Sequence, residues 1–297
     1  MDEVAGPQPR ARAAPPLRAP FRPAVLPMVA AMLLTTWLGA LPSPAAEIHL
    51  YAAASLADVL KELAPPYEAR TGDRVLFNFG ASGLLSRHIQ EGAPADLFFS
   101  ADEARMDDLD QKGLLMPGTR TNRLANTLVL IVPSDSRLPI HTPQDLLAPE
   151  VQRVAIADPK TVPAGQYARG FLEQLGLWKG IQGRVIPTGN VRGALAAVES
   201  GNVEAGWVYG TDTRLSKGIR TVYVAAGPAA PRIRYPVALI RDSKAPTEAR
   251  RLLTHLASTD TGKVFEKFGF IPLPPPLPAG GTPLSTSGPP GGRTPGE

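Results

Sequence analysis

Short apolar runs alternate with amphipathic stretches along most of the chain, and this alternation defines the predicted elements. The first apolar run, residues 48–51, passes through the small residues 52–55 into an amphipathic stretch that starts at Leu56. A short apolar run bounded by turn residues is typical of a buried strand, and a 3.6-residue period is typical of a helix. The pattern therefore predicts a strand, a tight turn and a helix.

The same unit recurs to about residue 270. The predicted strands are residues 48–51, 75–79, 96–100, 127–132, 154–157, 184–187, 205–209, 222–225 and 237–240. The predicted helices are residues 56–70, 84–90, 102–112, 163–175, 191–199, 247–256 and 259–268, with a further helix from Thr211 or Thr213. Pro65 and Pro66 are expected to break or kink the first helix.

This order of elements predicts an α/β fold in which mostly parallel sheets are flanked by helices. The units form two sets with no Gly/Ser linker between them, so we expect two lobes. Lobe I takes residues 47–125 and 236–273, and lobe II takes residues 126–235. A ligand cleft is expected between the lobes, at the carboxyl ends of strands.

Both ends of the chain differ in composition from this middle part. Residues 1–22 are rich in Pro and Arg, residues 24–41 are apolar apart from two threonines, and residues 42–46 are small. That layout is typical of a secretory signal peptide over residues 1–46. An uncleaved membrane anchor is the alternative, since about 18 residues approach the length of a span. The Pro/Gly-rich residues 274–297 predict a disordered tail.

Composition argues against several function classes. The 297 residues contain no cysteine, which excludes disulfides, zinc–thiolate sites and cysteine nucleophiles. The four histidines lack metal-ligand spacing, so no direct cation ligands are expected. The net charge is +4 without a basic block that includes aromatic residues, so nucleic-acid binding has little support. No Ser/His/Asp set or Gly-x-Ser-x-Gly elbow supports catalysis.

Four turns of small or uncharged residues each precede or open a predicted helix. They are residues 52–55, 80–83, 162–165 and 189–193. Ser55 occupies the position expected of an N-cap, where its hydroxyl can accept from the first free backbone N–H groups. Helix amino-termini carry free N–H groups and the positive end of the helix dipole, so converging termini make an anion site.

The groups available at these turns are hydrogen-bond donors without carboxylates or bases. Ser55 and Ser82 offer hydroxyls, Ala164 and Val191 offer backbone N–H groups, and Tyr209 offers a phenol at the end of its strand. Donors alone suit a fully deprotonated oxyanion, because the O–H of a protonated one would lack an acceptor. Several charge-assisted bonds would give a dissociation constant at or below about a micromolar.

Five segments in this order carry a family resemblance. They are residues 52–56 (AAASL), 92–102 (GAPADLFFSAD), 158–168 (DPKTVPAGQYA), 190–195 (NVRGAL) and 208–212 (VYGTD). With them, residues 47–272 resemble the periplasmic molybdate-binding proteins of bacterial ABC importers. The resemblance implies a two-lobed periplasmic-binding-protein fold of type II that closes on molybdate or tungstate. It also implies periplasmic location, delivery to a membrane permease driven by a cytoplasmic ATPase, and no cofactor or catalysis.

Carried over residue by residue, the resemblance implies that Ser55, Ser82, Ala164, Val191 and Tyr209 bind the anion. Arg192 adjoins one of these donors, and whether its side chain contacts the ligand stays open. A monomer is expected. The alternatives are a binder of the same fold for sulfate, phosphate or an organic anion, and a phosphate-ester hydrolase.

Overall fold

The computed structural model describes residues 45–274. Almost all of the predicted signal peptide and of the predicted tail lies outside the described residues. Within residues 45–274, no helix combines the length and the apolar character needed to cross a bilayer.

Strands and helices alternate along the described part of the chain. The strands are β1 (Glu47–Ala53), β2 (Arg74–Gly80), β3 (Leu97–Phe99), β4 (Thr121–Asn126), β5 (Leu128–Pro133), β6 (Val154–Ala157), β7 (Val185–Thr188), β8 (Ala205–Tyr209), β9 (Ile219–Val224), β10 (Ile233–Leu239) and β11 (Ile271–Pro272). The α-helices are α1 (Ala57–Thr71), α2 (Ser82–Gln90), α3 (Glu103–Gln111), α4 (Pro163–Gln174), α5 (Trp178–Ile181), α6 (Val191–Glu199), α7 (Pro246–Leu256) and α8 (Thr259–Lys267). Short 3-10 helices cover Ala54–Leu56, Pro143–Leu147, Gln182–Arg184 and Asp212–Arg214.

These strands form two sheets, which confirms the predicted α/β class. The first sheet has the order β11-β4-β10-β3-β1-β2, and the second has the order β7-β6-β8-β5-β9. Both are mixed, whereas the sequence pattern predicted mostly parallel sheets. Strand β1 pairs in parallel with β2 and β3, but β10 runs antiparallel to both β3 and β4. Strand β5 is likewise antiparallel to its neighbours β8 and β9. The antiparallel pairs involve the strands at the crossings between the sheets. The chain leaves the first sheet at the end of β4, enters the second as β5, and returns to the first as β10.

The crossings between the sheets are short. Strand β4 ends at Asn126 in the first sheet, and β5 begins two residues later in the second. Strand β10 begins at Ile233 and belongs to the first sheet. The first sheet therefore includes Asn126 and residues 233–235, which the expected lobe boundaries assign to lobe II.

Three local expectations were wrong. Helix α1 continues through Pro65 and Pro66, and buried Leu63 and Tyr67 anchor it on either side of the two prolines. Strand β4 was missed because its sequence, TNRLAN, lacks an apolar run. After Tyr209 the chain forms only a 3-10 turn, Asp212–Arg214, and no α-helix.

One continuous apolar core runs through both sheets. Strand β8 is fully buried, and Phe171 and Tyr223 pack around its Trp207 ring, with the Phe171 and Trp207 rings edge to face. Such packing holds the carboxyl end of β8, and with it Tyr209, in a fixed position.

Helix α4 contains two glycines in contrasting surroundings, which gives a matched test of this packing. A Cβ at Gly165 would overlap the backbone carbonyl of Ala157 at the end of β6, whereas a Cβ at Gly170 would meet nothing within 4 Å. Gly165→Ala should lower the free energy of unfolding by about 1–3 kcal/mol, because the helix must shift off the strand. Gly170→Ala should raise it by up to about 1 kcal/mol through helix propensity. Urea unfolding of both variants checks the contrast, and equal effects would contradict it.

Candidate functional site

A small cavity lies where the four predicted turns meet. Its lining consists of Ala53, Ala54, Ser55, Gly80, Ala81, Ser82, Ala101, Val162, Pro163, Ala164, Asn190, Val191 and Tyr209. All five residues predicted to bind an anion are in that lining. The space free of protein atoms is about 210 Å³, part of it open to solvent. So small a space suits a small ion rather than an organic ligand.

Both sheets contribute to the cavity. The first sheet brings Ser55, just after β1, and Ser82, at the start of α2 after β2. The second sheet brings α4 after β6 and α6 after β7, and Tyr209 is the last residue of β8. Because β1, β2, β6, β7 and β8 each deliver their carboxyl ends here, the cavity lies where ligands bind in α/β folds.

Neither serine caps a helix, which corrects the expectation for Ser55. Ser55 lies inside the 3-10 helix Ala54–Leu56, whose N-cap is Ala53, and no side chain caps it. The Ser55 Oγ instead lies 3.0 Å from the Tyr235 hydroxyl. The Ser82 Oγ accepts the backbone N–H of Ala101 at 3.0 Å. Both side chains are therefore held by buried partners beside the cavity.

Helices α4 and α6 offer backbone donors. Pro163 opens α4 and has no N–H, so Ala164 carries the first donor of that helix. In α6 the Asn190 side chain caps the helix by accepting the N–H of Gly193 at 3.1 Å. The first N–H groups of a helix have no partner within it, so those of Ala164 and Val191 are available to a ligand.

Tyr209 presents a buried hydroxyl that has no hydrogen-bond partner among residues 45–274. Its side chain is 1% exposed and borders the cavity. Burial, reinforced by nearby Tyr235, raises the pKa of Tyr209 well above its ordinary value, so the hydroxyl keeps its proton and can donate. A buried donor left without a partner costs about 1–3 kcal/mol, which a bound acceptor would recover.

The cavity lining contains no charged residue within the part of the chain that the structure describes. Arg192, whose contact the sequence left open, points to other groups. Its Nη2 donates to Asp58 Oδ2 at 2.7 Å and to the backbone oxygen of Ser55 at 3.2 Å. Arg192 therefore links α6, beside the second sheet, to the segment after β1 in the first.

Asp212 lies on the other side of Arg192. Its Oδ1 is 3.2 Å from Arg192 Nε, but the two atoms are not aligned for a hydrogen bond. Its Oδ2 accepts the backbone N–H of Tyr209 at 3.0 Å. Burial outweighs these attractions and raises the pKa of Asp212 to about 6. The carboxylate thus fixes the backbone of Tyr209 while remaining expensive to ionise.

Three polar residues around the cavity were missed by the sequence analysis. Tyr235 contacts Ser55, Asn126 contacts Tyr235 at 3.2 Å, and Asn190 lines the cavity as a helix cap. Asn190 stood within a turn that the sequence analysis singled out, and an Asn before a helix is a recognisable signal. Tyr235 and Asn126 lie in strands whose pairing the sequence did not reveal.

The acidic residues near these turns have structural partners outside the cavity. Asp96 accepts the backbone N–H groups of His49, Lys244 and Ala245. Asp102 caps α3 by accepting the N–H of Arg105 at 3.2 Å.

Asp158 holds its own loop through Lys160 N–H and the Thr161 hydroxyl. These two hydrogen bonds lower the pKa of its carboxyl, with the Lys160 N–H as the main cause.

Among the larger hollows elsewhere in the described residues, the two widest fit a selective site less well. One encloses about 1280 Å³ and includes Arg120, Arg232 and Arg234, and the other encloses about 1300 Å³ beside Trp178. Both are wide and open to water. Exposed charges there are screened, whereas donors in the small cavity act where water is largely excluded.

Known proteins are similar to this chain in sequence and in fold. Residues 48–271 match the family described as bacterial extracellular solute-binding protein. The molybdate-binding protein ModA of Escherichia coli (strain K12) is 34% identical over 229 residues, which cover 75% of this chain and 88% of that protein. ModA of Haemophilus influenzae is 34% identical over 82% of this chain and 96% of that protein. The solved periplasmic molybdate-binding protein of Azotobacter vinelandii has a TM-score of 0.69 at 22% identity, covering 76% of this chain and 99% of that structure.

The raised pKa of Asp212 predicts a specific pH dependence of stability. Folded Asp212 binds a proton near pH 6, whereas the unfolded side chain does so near its ordinary value of 3.8. Between these values the folded state binds more protons, so this residue's contribution to stability grows as the pH falls and is lost as the pH rises through about 6. Relative to Asp212→Asn, the wild type should gain up to about 3 kcal/mol of unfolding free energy between about pH 7 and pH 4.

Urea unfolding of both proteins across this pH range measures the difference. The Asn variant is a close isostere whose side-chain oxygen can still accept the Tyr209 N–H. A difference that stays constant with pH would contradict the raised pKa.

Proposed function

The chain belongs to the family of bacterial extracellular solute-binding proteins, and on that premise we propose that it captures molybdate or tungstate outside the cytoplasm and delivers it to an ABC importer. In this proposal Ser55, Ser82, Ala164, Val191 and Tyr209 hold the anion. The protein binds and releases its ligand and catalyses no reaction. Residues 1–46 act as its export signal, and it works as a monomer.

One observation carries the proposal: uncharged donors from both sheets surround a single small cavity. Among them, the Tyr209 hydroxyl is buried and lacks a partner in the described part of the chain. Three α-helices, α2, α4 and α6, have their amino-termini at the same cavity. Free N–H groups and aligned peptide dipoles favour a negative charge at such a point.

Hydrogen bonds from these uncharged donors are strong enough to bind an anion tightly without a cationic side chain. Hydrogen bonds to a charged partner contribute about 1.5–3 kcal/mol each. Five of them give about 7–15 kcal/mol before the loss of translational freedom, which takes at least about 4 kcal/mol. The balance is compatible with dissociation constants near or below about a micromolar.

The ligand class follows from what the lining lacks. No carboxylate or other base among the described residues faces the cavity, so an O–H on the ligand would find no strong acceptor. A tetrahedral oxyanion without a proton uses every donor. Molybdate is favoured within that class by the two 34%-identical relatives that carry its name. Sulfate is the main competitor, and the fixed size of the cage would decide between them.

A melting experiment with a panel of oxyanions tests the proposal as a whole. Molybdate or tungstate at a hundred times its dissociation constant should stabilise the protein by about 2.7 kcal/mol. Sulfate and phosphate at the same concentration should have much smaller effects. A panel in which molybdate and tungstate produce no shift would overturn the proposal.

Removal of a single donor gives the next prediction. Ser55→Ala and Tyr209→Phe should each raise the Kd for molybdate at least about tenfold, because each deletes one charge-assisted hydrogen bond. Tyr67→Phe is the matched control, since Tyr67 is also fully buried but its hydroxyl donates to Asp73 far from the cavity. Isothermal calorimetry measures all three. Wild-type affinity in both site variants would remove these residues from the site.

Contact between the two lobes gives a further prediction. Gly83, in α2 beside the first sheet, packs so closely on the backbone carbonyl of Thr161, before α4, that an added Cβ would overlap it. Gly83→Ala should therefore hold the lobes apart and raise the Kd for molybdate about tenfold or more, with little loss of stability in the absence of ligand. Gly170→Ala, a substitution into open space, is the control. Calorimetry and thermal melting check the pair, and unchanged affinity in Gly83→Ala would show that closure does not need this contact.

A further inference from the structure

We infer that Asn126 and Tyr235 act as positioning residues that force the Ser55 hydroxyl to donate, and that they thereby select a ligand with no proton of its own. This inference rests on the proposed function, since it concerns how the same cavity chooses among oxyanions. It follows from the direction of four hydrogen bonds, starting at the crossing between the two sheets.

The first step is the orientation of the Asn126 amide, which its neighbours fix. Its Oδ1 accepts the backbone N–H of Thr127 at 2.9 Å, so the other end of the amide must be the NH2 group. That group then donates one hydrogen to Thr211 Oγ1 at 3.0 Å and the other to the Tyr235 hydroxyl at 3.2 Å. Asn126 is 7% exposed, so water does not compete for these hydrogens.

The second step is the direction of the Tyr235 O–H. The Tyr235 side chain is completely buried, and within residues 45–274 its hydroxyl contacts only Asn126 and Ser55. Asn126 donates to it, so the oxygen already accepts. Its single hydrogen has one acceptor within reach, Ser55 Oγ at 3.0 Å, and a buried hydrogen without a partner would be costly. Tyr235 therefore donates to Ser55.

The third step concerns Ser55 itself. Because its oxygen accepts from Tyr235, its own hydrogen turns away from Tyr235, and the cavity that Ser55 lines is the remaining direction. Ser82 has the same polarity, since its oxygen accepts the N–H of Ala101 at 3.0 Å. The Tyr209 hydroxyl has no partner among residues 45–274 to fix its direction, so it can donate to a bound anion or accept from it. The Ser55 and Ser82 hydroxyls thus present hydrogens to the cavity, whereas a hydroxyl in isolation could equally accept.

The consequence is selection by protonation state. A bare dianion accepts from Ser55, Ser82 and Tyr209 together. Monohydrogen phosphate has a similar shape and charge, but its O–H would face a donor at Ser55 or Ser82, and only Tyr209 could turn to accept it, at the loss of the bond that Tyr209 would otherwise donate. Neutral hydroxyls could adapt to either ligand if they were free to rotate, so the buried partners of Ser55 are needed to hold the preference.

The experiment is a double-mutant cycle on molybdate affinity, measured by calorimetry. Tyr235→Phe keeps the ring but removes the donor to Ser55, and should raise the Kd about three- to tenfold, the value of one hydrogen bond. In a Ser55→Ala background the same change should alter the Kd by less than about twofold, because its target is gone. Equal effects in both backgrounds would show that Tyr235 does not act through Ser55.

The relative affinity for molybdate and phosphate is a readout that would not change if Tyr235 had a purely structural role. At about pH 8 molybdate and monohydrogen phosphate both carry two charges, so any general weakening cancels in the ratio of their dissociation constants. The ratio of the phosphate Kd to the molybdate Kd, measured by displacing bound molybdate with excess phosphate, should fall at least about threefold in Tyr235→Phe. The reason is that Ser55 can then accept the phosphate O–H. The inference would be overturned if the ratio were unchanged, or if phosphate still failed to displace molybdate from the variant.

A control and a separate outcome keep this test apart from the proposed function. Tyr67→Phe, which removes a buried hydroxyl bonded to Asp73, should leave both affinity and ratio at wild-type values. If the wild type does not bind molybdate, the proposed function fails, and the cycle is run with whichever oxyanion raises the melting temperature. If the wild type binds molybdate and the cycle shows no coupling, only the role of Asn126 and Tyr235 fails.

Discussion

Buried hydrogen-bond donors need acceptors, and this requirement governs the centre of the molecule. The carboxyl ends of β1, β2, β6, β7 and β8 bring hydroxyl and amide hydrogens to one point where water is scarce. At the surface, each of those hydrogens would form a hydrogen bond with water. Gathered together, they create a positive potential without any cationic side chain. Both sheets are needed for this arrangement, because the donors around the cavity come from elements that follow strands of each.

The charged residues nearby are consistent with that design. Arg192 follows Val191 in the chain, yet Asp58, Asp212 and the backbone of Ser55 hold its guanidinium, and it is not part of the cavity lining. A guanidinium in the cavity would attract any anion and would weaken discrimination by hydrogen-bond geometry. Held outside, it ties α6 to the other side of the cavity and leaves recognition to neutral groups.

Much of the cavity could be predicted from the sequence, because the strands, turns and helix starts that form it are each specified by neighbouring residues. Helix α6 and strand β8 were predicted with the bounds they have, and the five expected residues do line one cavity. Their role as ligands remains a prediction. The sequence failed where pairing is non-local: β4 has no apolar run, and it is a strand because β10 and β11 pair with it. For the same reason Tyr235 and Asn126 escaped notice, and Ser55 was mistaken for a cap when its partner lies 180 residues away.

Asn126 lies at the crossing between the two sheets and forms hydrogen bonds on both sides of it. This residue ends the last strand before the chain crosses to the second sheet, and its amide donates to Thr211, in the turn that follows β8 of the second sheet, as well as to Tyr235 on the first. Any bending at the crossing would strain one of these two bonds. Separation of the two halves would break the Asn126–Thr211 bond but leave Asn126, Tyr235 and Ser55 together on the first sheet, so the Ser55 hydroxyl would keep its direction while the cavity opens.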